Sequence, residues 1–220
     1  MEIFMHQFGQ SFGWSADGSF YMYFIALFGT VALAIGSERV YYIMVRSNIN
    51  ANKFMAEIRK LVAGGNMERA IQLCEKGKQK ALPYVVLRAL KRANESEELD
   101  FRAIQNAVDE ATLEVIPKLK ERTNYLSMLA NVATLTGLMG TIYGLILSFA
   151  AVGSDTVAEA DKSKMLASGI STAMNTTIFG LVVAVPTLII YTVISNNTSK
   201  IIDELDEHLV KLINLITGNR

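Results

Sequence analysis

Two long segments without a charged residue dominate the hydropathy pattern of the chain. They run from Thr123 to Ser154 and from Met165 to Ser199, and neither contains Asp, Glu, Lys, Arg or His. A helix of about 20 apolar residues is long enough to cross the hydrocarbon layer of a membrane. The pattern therefore predicts two transmembrane helices that extend beyond the bilayer and are joined by a short charged loop.

A further apolar segment lies near the N-terminus, from Gly18 to Ser37. Aromatic residues recur before it at helical spacing, which predicts an amphipathic helix at the membrane interface; they are Phe4, Phe8, Phe12 and Trp14. The remaining sequence predicts helices throughout. The predicted fold class is an all-α membrane protein, an oligomeric bundle in which three transmembrane helices per chain extend into a cytoplasmic helical domain.

Basic residues fix the predicted orientation, because cytoplasmic loops are enriched in Lys and Arg. Those close to the predicted span ends are Arg39, Arg46, Lys118, Lys120 and Arg122. The N-terminus is therefore predicted to be periplasmic and the C-terminus cytoplasmic. The predicted order is an interfacial segment (1–17), a first span (18–42), a cytoplasmic domain continuous with the second span (43–125), the second span (126–152), a periplasmic loop (153–164), the third span (165–195) and an amphipathic cytoplasmic helix (196–220).

Glycine and proline delimit the helices predicted in the cytoplasmic domain. Helices are expected at 51–63 and 66–76, and both end at glycines, Gly64-Gly65 and Gly77, that suit a left-handed C-cap. A third helix is expected to open near Pro83, since proline is favoured in the first turn, and to run to about Asn94.

Two more amphipathic helices are predicted. Asp100 is expected to cap a helix that runs on into the second span, with a kink at Pro117. Beyond the third span, one face of a charged helix is apolar, and we expect the same face of another copy to cover it. Its residues are Ile201, Leu205, Leu209, Leu212 and Ile216.

Both long segments also carry a stripe of small and hydroxyl residues at helical spacing. The first stripe is Thr134, Gly137, Thr141, Gly144 and Ser148; the second is Gly169, Ala173, Thr176, Thr177, Gly180, Ala184 and Thr187, with Thr172 at its edge. Counted outward from Ala158, Thr141 and Thr177 lie about equally far along antiparallel helices, so they are expected to face each other near mid-membrane. Close packing explains any single Gly or Thr as well as function does.

Two motifs in these stripes carry a family resemblance. They are Gly-x-x-Gly-Thr-x-x-Gly, from Gly137 through Gly140 to Gly144, and the run from Gly169-Ile-Ser-x-Ala to Pro186. The chain resembles the proton-channel family of ExbB, TolQ and MotA, most closely its three-span ExbB and TolQ branch. It departs from that pattern at Thr134, where the family usually has Pro, and at Thr172, where ExbB and TolQ usually have Glu.

The resemblance implies a subunit of an ion-driven motor in the bacterial inner membrane. Five such subunits usually surround single-span partner helices of the ExbD or TolR type, each with an essential Asp, and a TonB- or TolA-like energy transducer is a further candidate partner. Thr141 and Thr177 match the polar residues that face this Asp. Thr134, Thr172 and Thr176 extend the expected ion pathway, whereas packing and kink positions are assigned to Gly137, Gly140, Gly144, Gly180 and Pro186. Because hydroxyl oxygens also suit a hard cation, H⁺ and Na⁺ both remain open.

Composition and residue spacing oppose other classes of function. The chain has 220 residues, 51% of them hydrophobic, and no net charge, so nothing indicates nucleic-acid binding. The single Cys74 and the isolated His6 and His208, expected at the surface, predict neither a metal site nor a cofactor. The sequence contains neither a catalytic triad nor a phosphate-binding loop, so it does not predict an enzyme. A non-conducting oligomeric scaffold in the membrane lipid is the alternative, since the stripes could serve packing alone.

Overall fold

The computed structural model describes residues 19–47, 49–95, 100–153 and 159–218, which are almost entirely helical and include no strand. The elements are α1 (Ser19–Val40), a π-helical turn (Tyr41–Arg46), α2 (Ala51–Ala63), α3 (Met67–Lys76), α4 (Ala81–Glu95), α5 (Phe101–Lys120), α6 (Thr123–Val152) and α7 (Glu159–Ile216). Three of the described helical stretches are long and apolar enough to cross a membrane, as predicted. The predicted interfacial segment at 1–17 lies outside the described residues.

The chain divides into two compact units. The first comprises the described residues up to Ser37 and Arg122–Thr192, and so contains part of each of the three candidate spans. Its interior is lined by small and medium apolar residues, such as Ala130, Ala133, Ala173 and Ala184. Large apolar side chains instead point outward, with more than half of their surface exposed: Leu27, Leu33, Leu135, Ile146, Val182 and Ile189. This distribution suits a helix bundle surrounded by lipid.

The second unit comprises Glu38–Glu121 and Val193–Arg220. Within it, α4 packs against α3 and α5. Its core has the composition of a water-soluble protein, with fully buried side chains that include Met55, Ile58, Leu90, Ile104, Leu119 and Leu212. Burial also raises the pKa of the Cys74 thiol to about 12, which keeps this cysteine protonated and unreactive.

Local signals placed most helix ends of the second unit correctly. The Asp100 carboxylate accepts from the backbone N–H of Arg102 at 2.9 Å, which is the predicted cap. Gly65 adopts the predicted left-handed conformation, with φ of 72°. The prediction for Gly77 is wrong, because its φ is −101°. Glycine is favoured at 77 for another reason: a Cβ there would lie 3.1 Å from the Pro83 ring, a tight contact.

The continuous helix predicted from Asp100 into the second span is interrupted. Although α5 passes through Pro117 without ending, it stops at Lys120, and Arg122 adopts a left-handed conformation with φ of 58° before α6 begins. Arg39 lies next to this break and is buried. Its guanidinium is 3.7 Å from the Glu121 carboxylate and 3.4 Å from the carbonyl oxygen of Lys118. The break therefore lies where a buried cation meets the end of α5.

The prediction that another copy covers the C-terminal apolar stripe is also wrong. Leu205, Leu209, Leu212 and Ile216 are already buried within the single chain, at most 7% exposed. The helices of the second unit cover them, because Leu205 lines a cavity together with Leu82 and Ile43. The stripe is thus a core element of this unit.

His208 shares this buried face, contrary to its predicted surface position, because it lies three residues after Leu205 and four before Leu212. Only 4% of it is exposed. Its Nδ1 is 3.4 Å from an Arg59 guanidinium nitrogen, and since guanidinium only donates, Nδ1 is the acceptor. Burial is the main cause that lowers the pKa of His208, so the ring is neutral at pH 7. His6 lies outside the described residues.

Burial of the stripe predicts a position-specific effect on stability. Leu212 is fully buried, whereas Leu215, on the same helix, is 40% exposed. We expect Leu212→Ala to lower the free energy of unfolding by about 2–5 kcal/mol, because it leaves a cavity, and Leu215→Ala to lower it by less than about 1 kcal/mol. Chemical denaturation of the detergent-solubilised protein measures both. Equal small effects would show that the stripe is not a core in solution.

Candidate functional site

The candidate site lies where α6 and α7 approach each other along their small residues. A Cβ on Gly180 would lie 2.8 Å from the carbonyl oxygen of Ala133, and a Cβ on Gly137 would lie 3.0 Å from that of Thr176. The first distance is shorter than real Cβ atoms show, and the second is tighter than most real Cβ contacts. A side chain at Gly180 would therefore force the backbones apart and one at Gly137 would strain the contact, so the two glycines let the helices approach closely.

The same contact continues along the helix pair toward the end of α6 and the beginning of α7. A Cβ on Gly140 would lie 2.6 Å from the Thr176 hydroxyl oxygen, and a Cβ on Gly144 would lie 2.8 Å from the Cβ of Ala173. Further along, the Ser148 hydroxyl lies directly over Gly169. All the predicted packing glycines are therefore at the α6–α7 contact.

Thr141 and Thr177 form a hydroxyl pair across this contact, as the residue count from the loop predicted. Their Oγ1 atoms are 3.1 Å apart. Two carbonyl acceptors adjoin the pair: Gly137 O is 3.0 Å from Thr177 Oγ1, and Leu138 O is 2.7 Å from Thr141 Oγ1. Both threonines are half-buried, so the pair is accessible from one side of the bundle.

This geometry gives the hydroxyl pair two directions of hydrogen bonding. Each hydroxyl has one proton to donate and two lone pairs. In one arrangement Thr141 donates to Thr177, which donates to Gly137 O. In the other Thr177 donates to Thr141, which donates to Leu138 O. Two protons thus serve three contacts, and the pair can reverse its polarity by rotation of the hydroxyls, with no movement of heavy atoms.

Thr176 occupies the dry side of the same contact and is only 1% exposed. Its hydroxyl donates to Ala173 O at 2.7 Å and lies 3.3 Å from Gly137 O. The Gly137 carbonyl consequently adjoins both Thr176 and Thr177 of α7. Thr176 fills the space that Gly140 leaves free and is in a packing position, whereas Thr141 and Thr177 are at the accessible edge.

The structure does not bring Thr134 and Thr172 into this cluster. The Thr134 hydroxyl donates to Ala130 O on its own helix, and the Thr172 hydroxyl donates to Ser168 O, both at 3.0 Å. Thr172 lines a separate cavity of about 310 Å³ together with Ser148, Ser168 and Gly169. Any role of these two threonines in an ion pathway remains a prediction.

Two more polar or helix-perturbing positions lie on α7. Pro186 is exposed and the helix continues through it, so the predicted bend remains a prediction. Asn175, which belongs to neither predicted stripe, is 6% exposed and therefore buried in the charge-free segment. The sequence signal that could have identified Asn175 is that its side-chain amide lies next to Thr176 in a segment without charged residues.

The residues of the candidate site lie within the part of the chain that matches a known protein family. The model of the MotA/TolQ/ExbB proton channel family matches residues 77–207. The chain is 31% identical over 164 residues to the putative biopolymer transport protein ExbB-like 3 of Synechocystis, which covers 74% of each chain. It is 27% identical over 205 residues to a putative biopolymer transport protein ExbB homolog of Methanothermobacter thermautotrophicus, which covers 92% of this chain and 67% of the relative.

The glycine contact predicts a clear difference between two substitutions in the spans. Gly180→Ala forces a methyl group against the backbone at 2.8 Å, whereas a Cβ on Gly36 would meet only side chains, the nearest being Ile190 at 3.4 Å. Both changes gain the same helix propensity. We expect Gly180→Ala to cost about 1–3 kcal/mol relative to Gly36→Ala, seen as a lower melting temperature in detergent. Similar melting temperatures for the two variants would contradict the close approach of α6 and α7.

Proposed function

The chain belongs to the MotA/TolQ/ExbB proton channel family, and we propose that it is the ExbB/TolQ-like subunit of an ion-driven motor in the bacterial inner membrane. Together with a single-span ExbD/TolR-like partner it forms a channel for H⁺, with Na⁺ as the alternative ion. Ion flow through this channel is converted into mechanical work at the cell envelope. The second unit is cytoplasmic and the N-terminus is periplasmic.

The Thr141–Thr177 pair is the observation that carries this proposal. A pathway for protons at bilayer depth uses titratable stations such as Asp, Glu or His, and the segments Thr123–Ser154 and Met165–Ser199 contain none. A threonine hydroxyl can relay a hydrogen bond but cannot hold the proton at neutral pH. The titrating carboxylate is therefore supplied by the partner, and the hydroxyl pair faces it.

The reversibility of the pair explains how it serves an aspartate that changes its charge. An ionised carboxylate only accepts hydrogen bonds, whereas a protonated one also donates. The pair can serve both states of the carboxylate. Its accessible hydroxyl either donates a hydrogen bond to the ionised carboxylate or accepts one from the protonated carboxyl group, while the other hydroxyl donates to Gly137 O or Leu138 O. The site thus stays satisfied through both protonation states without rearrangement of the helices.

Sodium remains the alternative ion because the lining is rich in oxygen. Thr141, Thr177 and the carbonyl of Gly137 place oxygens within 3.5 Å of one another, and oxygen ligands suit a hard cation. Thr172 and Thr134 lie outside this cluster and are proposed as further positions of the pathway. A carboxylate from the partner would complete the coordination.

The proposed motor function also requires assembly with further copies of the chain and with other proteins. The relatives are named as biopolymer transport proteins, and we assign a comparable role to this chain, with a TonB- or TolA-like transducer as a further partner. The outward apolar faces of the first unit face membrane lipid and neighbouring copies. The expected homo-oligomer is a pentamer around the partner helices.

A non-conducting scaffold is the second candidate function, and one observation favours it. The hydroxyls of Thr134, Thr172 and Ser148 each donate to a carbonyl of their own helix, which is what close packing alone requires. The scaffold and the motor differ in whether the Thr141–Thr177 hydroxyls matter once assembly is intact.

Substitution of the pair by valine separates these functions. Valine keeps the shape of threonine and removes the hydroxyl. We expect Thr141→Val and Thr177→Val each to reduce ion-driven activity at least about tenfold, because either change breaks the hydrogen-bond chain. Activity is measured as uptake or flux in cells or liposomes that contain the chain and its single-span partner.

The matched control is Thr192→Val, because Thr192 is exposed and its hydroxyl bonds only to Leu188 O. This variant should retain activity, and all three should assemble like the wild type. Wild-type activity in both pair variants would favour the scaffold. A pH series with and without Na⁺ identifies the ion, since a Na⁺ channel requires Na⁺ at every pH.

The oligomeric state gives an independent prediction. Native mass spectrometry in mild detergent should show five copies of the chain, because the small-residue contacts within one chain leave large outward apolar faces that need covering. A predominant monomer or dimer would count against the pentamer. Co-expression with the single-span partner should add its mass to the five-copy species.

A further inference from the structure

The buried imidazole of His208 is a titratable group that the proposed ion pathway does not use. Histidine is the side chain whose unperturbed pKa places its charge change between about pH 5 and 8, and His208 is the only histidine among the residues that the structure describes. It lies on α7, one residue beyond the stretch that matches the family, residues 77–207. Its partner Arg59, on α2, also lies outside that stretch. The pair is therefore not part of the family match.

The contact between these two residues requires a neutral ring. Nδ1 of His208 accepts from a guanidinium nitrogen of Arg59 at 3.4 Å, and an imidazolium has no nitrogen that can accept. Protonation would therefore turn the acceptor into a donor that faces another donor. Arg59 tolerates this loss poorly, because its Nε is already buried without a hydrogen-bond partner among the described residues, and each buried unsatisfied donor destabilises the fold.

The surroundings of the ring also disfavour its charged form. Four charged groups act on it: Arg59 from α2, and Glu204, Glu207 and Lys211 from α7. Burial is the largest cause and lowers the pKa of His208; Glu207 and Glu204 raise it, Arg59 and Lys211 lower it, and the net direction is downward. The Glu207 carboxylate is exposed and paired with Lys211, so water and a neighbouring cation weaken its attraction for the ring.

A charged ring has a more favourable position at the surface of the same helix. Glu204 lies four residues before His208, and its side chain is partly exposed. A carboxylate four residues ahead of a cation on a helix forms a favourable pair. The neutral ring is thus stable inside, where it accepts from Arg59, and the charged ring is stable outside, where Glu204 attracts it and water solvates it. The two protonation states favour two different arrangements.

We propose that His208 is a pH-sensitive switch: the neutral ring holds residues 201–216 of α7 against α2, and protonation of the ring releases them. The stabilisation is complete above about pH 6.5 and is lost as the pH falls through the lowered pKa of the folded state. The switch itself does not depend on the motor function. That it senses acidification of the cytoplasm rests on the proposed topology, in which an inward flow of H⁺ produces this signal.

The experiment measures exposure of the buried face of α7 as a function of pH. Leu209 is 3% exposed, whereas its neighbour Val210 is 59% exposed. Leu209→Cys and Val210→Cys are made separately in full-length protein that carries Cys74→Ala, and the rate of reaction with a thiol reagent in detergent is measured between about pH 7.5 and 5.5. The ratio of the two rates cancels the pH dependence of the thiol chemistry.

We expect the ratio of the Leu209→Cys rate to the Val210→Cys rate to rise at least about threefold over this range, and by no more than about tenfold per pH unit, because one proton is bound. His208→Gln should abolish the rise, since its amide oxygen accepts from Arg59 at every pH. Arg59→Gln should reduce the rise, because it removes a cation that opposes protonation. Lys60→Gln, at an exposed position on α2, should leave it unchanged.

The melting temperature of the protein without cysteine substitutions gives a second readout. It should fall more between about pH 7.5 and 5.5 in the wild type than in His208→Gln, whatever the stability of each variant at the higher pH. A ratio that stays constant in the wild type, an equal rise in His208→Gln, or equal falls in melting temperature would overturn the switch. Neither measurement involves ion flux, so failure of the switch and failure of the proposed motor are distinguishable.

Discussion

The close backbone approach of α6 and α7 at Gly137 and Gly180 is the constraint on which the candidate site depends. Lipid surrounds helices with an environment as apolar as their own side chains, so burial of apolar surface does not drive them together. Dispersion and polar contacts must do so, and both need short distances. Glycines remove the Cβ atoms that would hold the backbones apart, and Thr177 then reaches the Gly137 carbonyl of the other helix at 3.0 Å. The polar site is thus a consequence of the packing.

The second unit is held together by a different force, although α7 contributes to both units. Before Thr192 its buried residues are mostly small, such as Ala173, Gly180 and Ala184; after it they are large, such as Ile194, Leu205 and Leu212. Under the proposed topology water surrounds the second part, and removal of large apolar side chains from water stabilises it. One helix therefore uses close backbone contact where lipid is the solvent and hydrophobic burial where water is.

Sequence periodicity was sufficient for the spans and for the Thr141–Thr177 pairing. Charge-free length defines a span directly, and antiparallel helices of equal rise fix which residues face each other once the loop is located. The caps at Asp100 and Gly65 followed from local chemistry that involves only a few neighbouring residues. These features depend on distances along the chain, so an inspection of the chain alone could find them.

The features that the sequence did not predict depend on contacts between distant segments. The apolar stripe with Leu205 and Leu212 looks the same whether another copy or the chain's own helices cover it, and His208 is buried only because they do. The break at Glu121 and Arg122 contains neither Gly nor Pro, and Arg39, distant in sequence, contacts it. Gly77 was assigned a left-handed conformation, whereas its role is to make room for Pro83. In each case the local sequence is compatible with more than one structure, and tertiary packing determines which one forms.

The absence of a charge from α6 and α7 within the membrane has a mechanical consequence under the proposed function. A carboxylate fixed in a span costs roughly 3 kcal/mol on insertion scales, and it would also attract or repel a partner's aspartate as that group changes its charge. Neutral hydroxyl pairs do neither. In a ring of identical copies, each Thr141–Thr177 pair offers the moving carboxylate the same two hydrogen-bond arrangements at the same energy. The path from one copy to the next therefore has no deep electrostatic well, and the driving ion, not the ring, sets where the carboxylate rests.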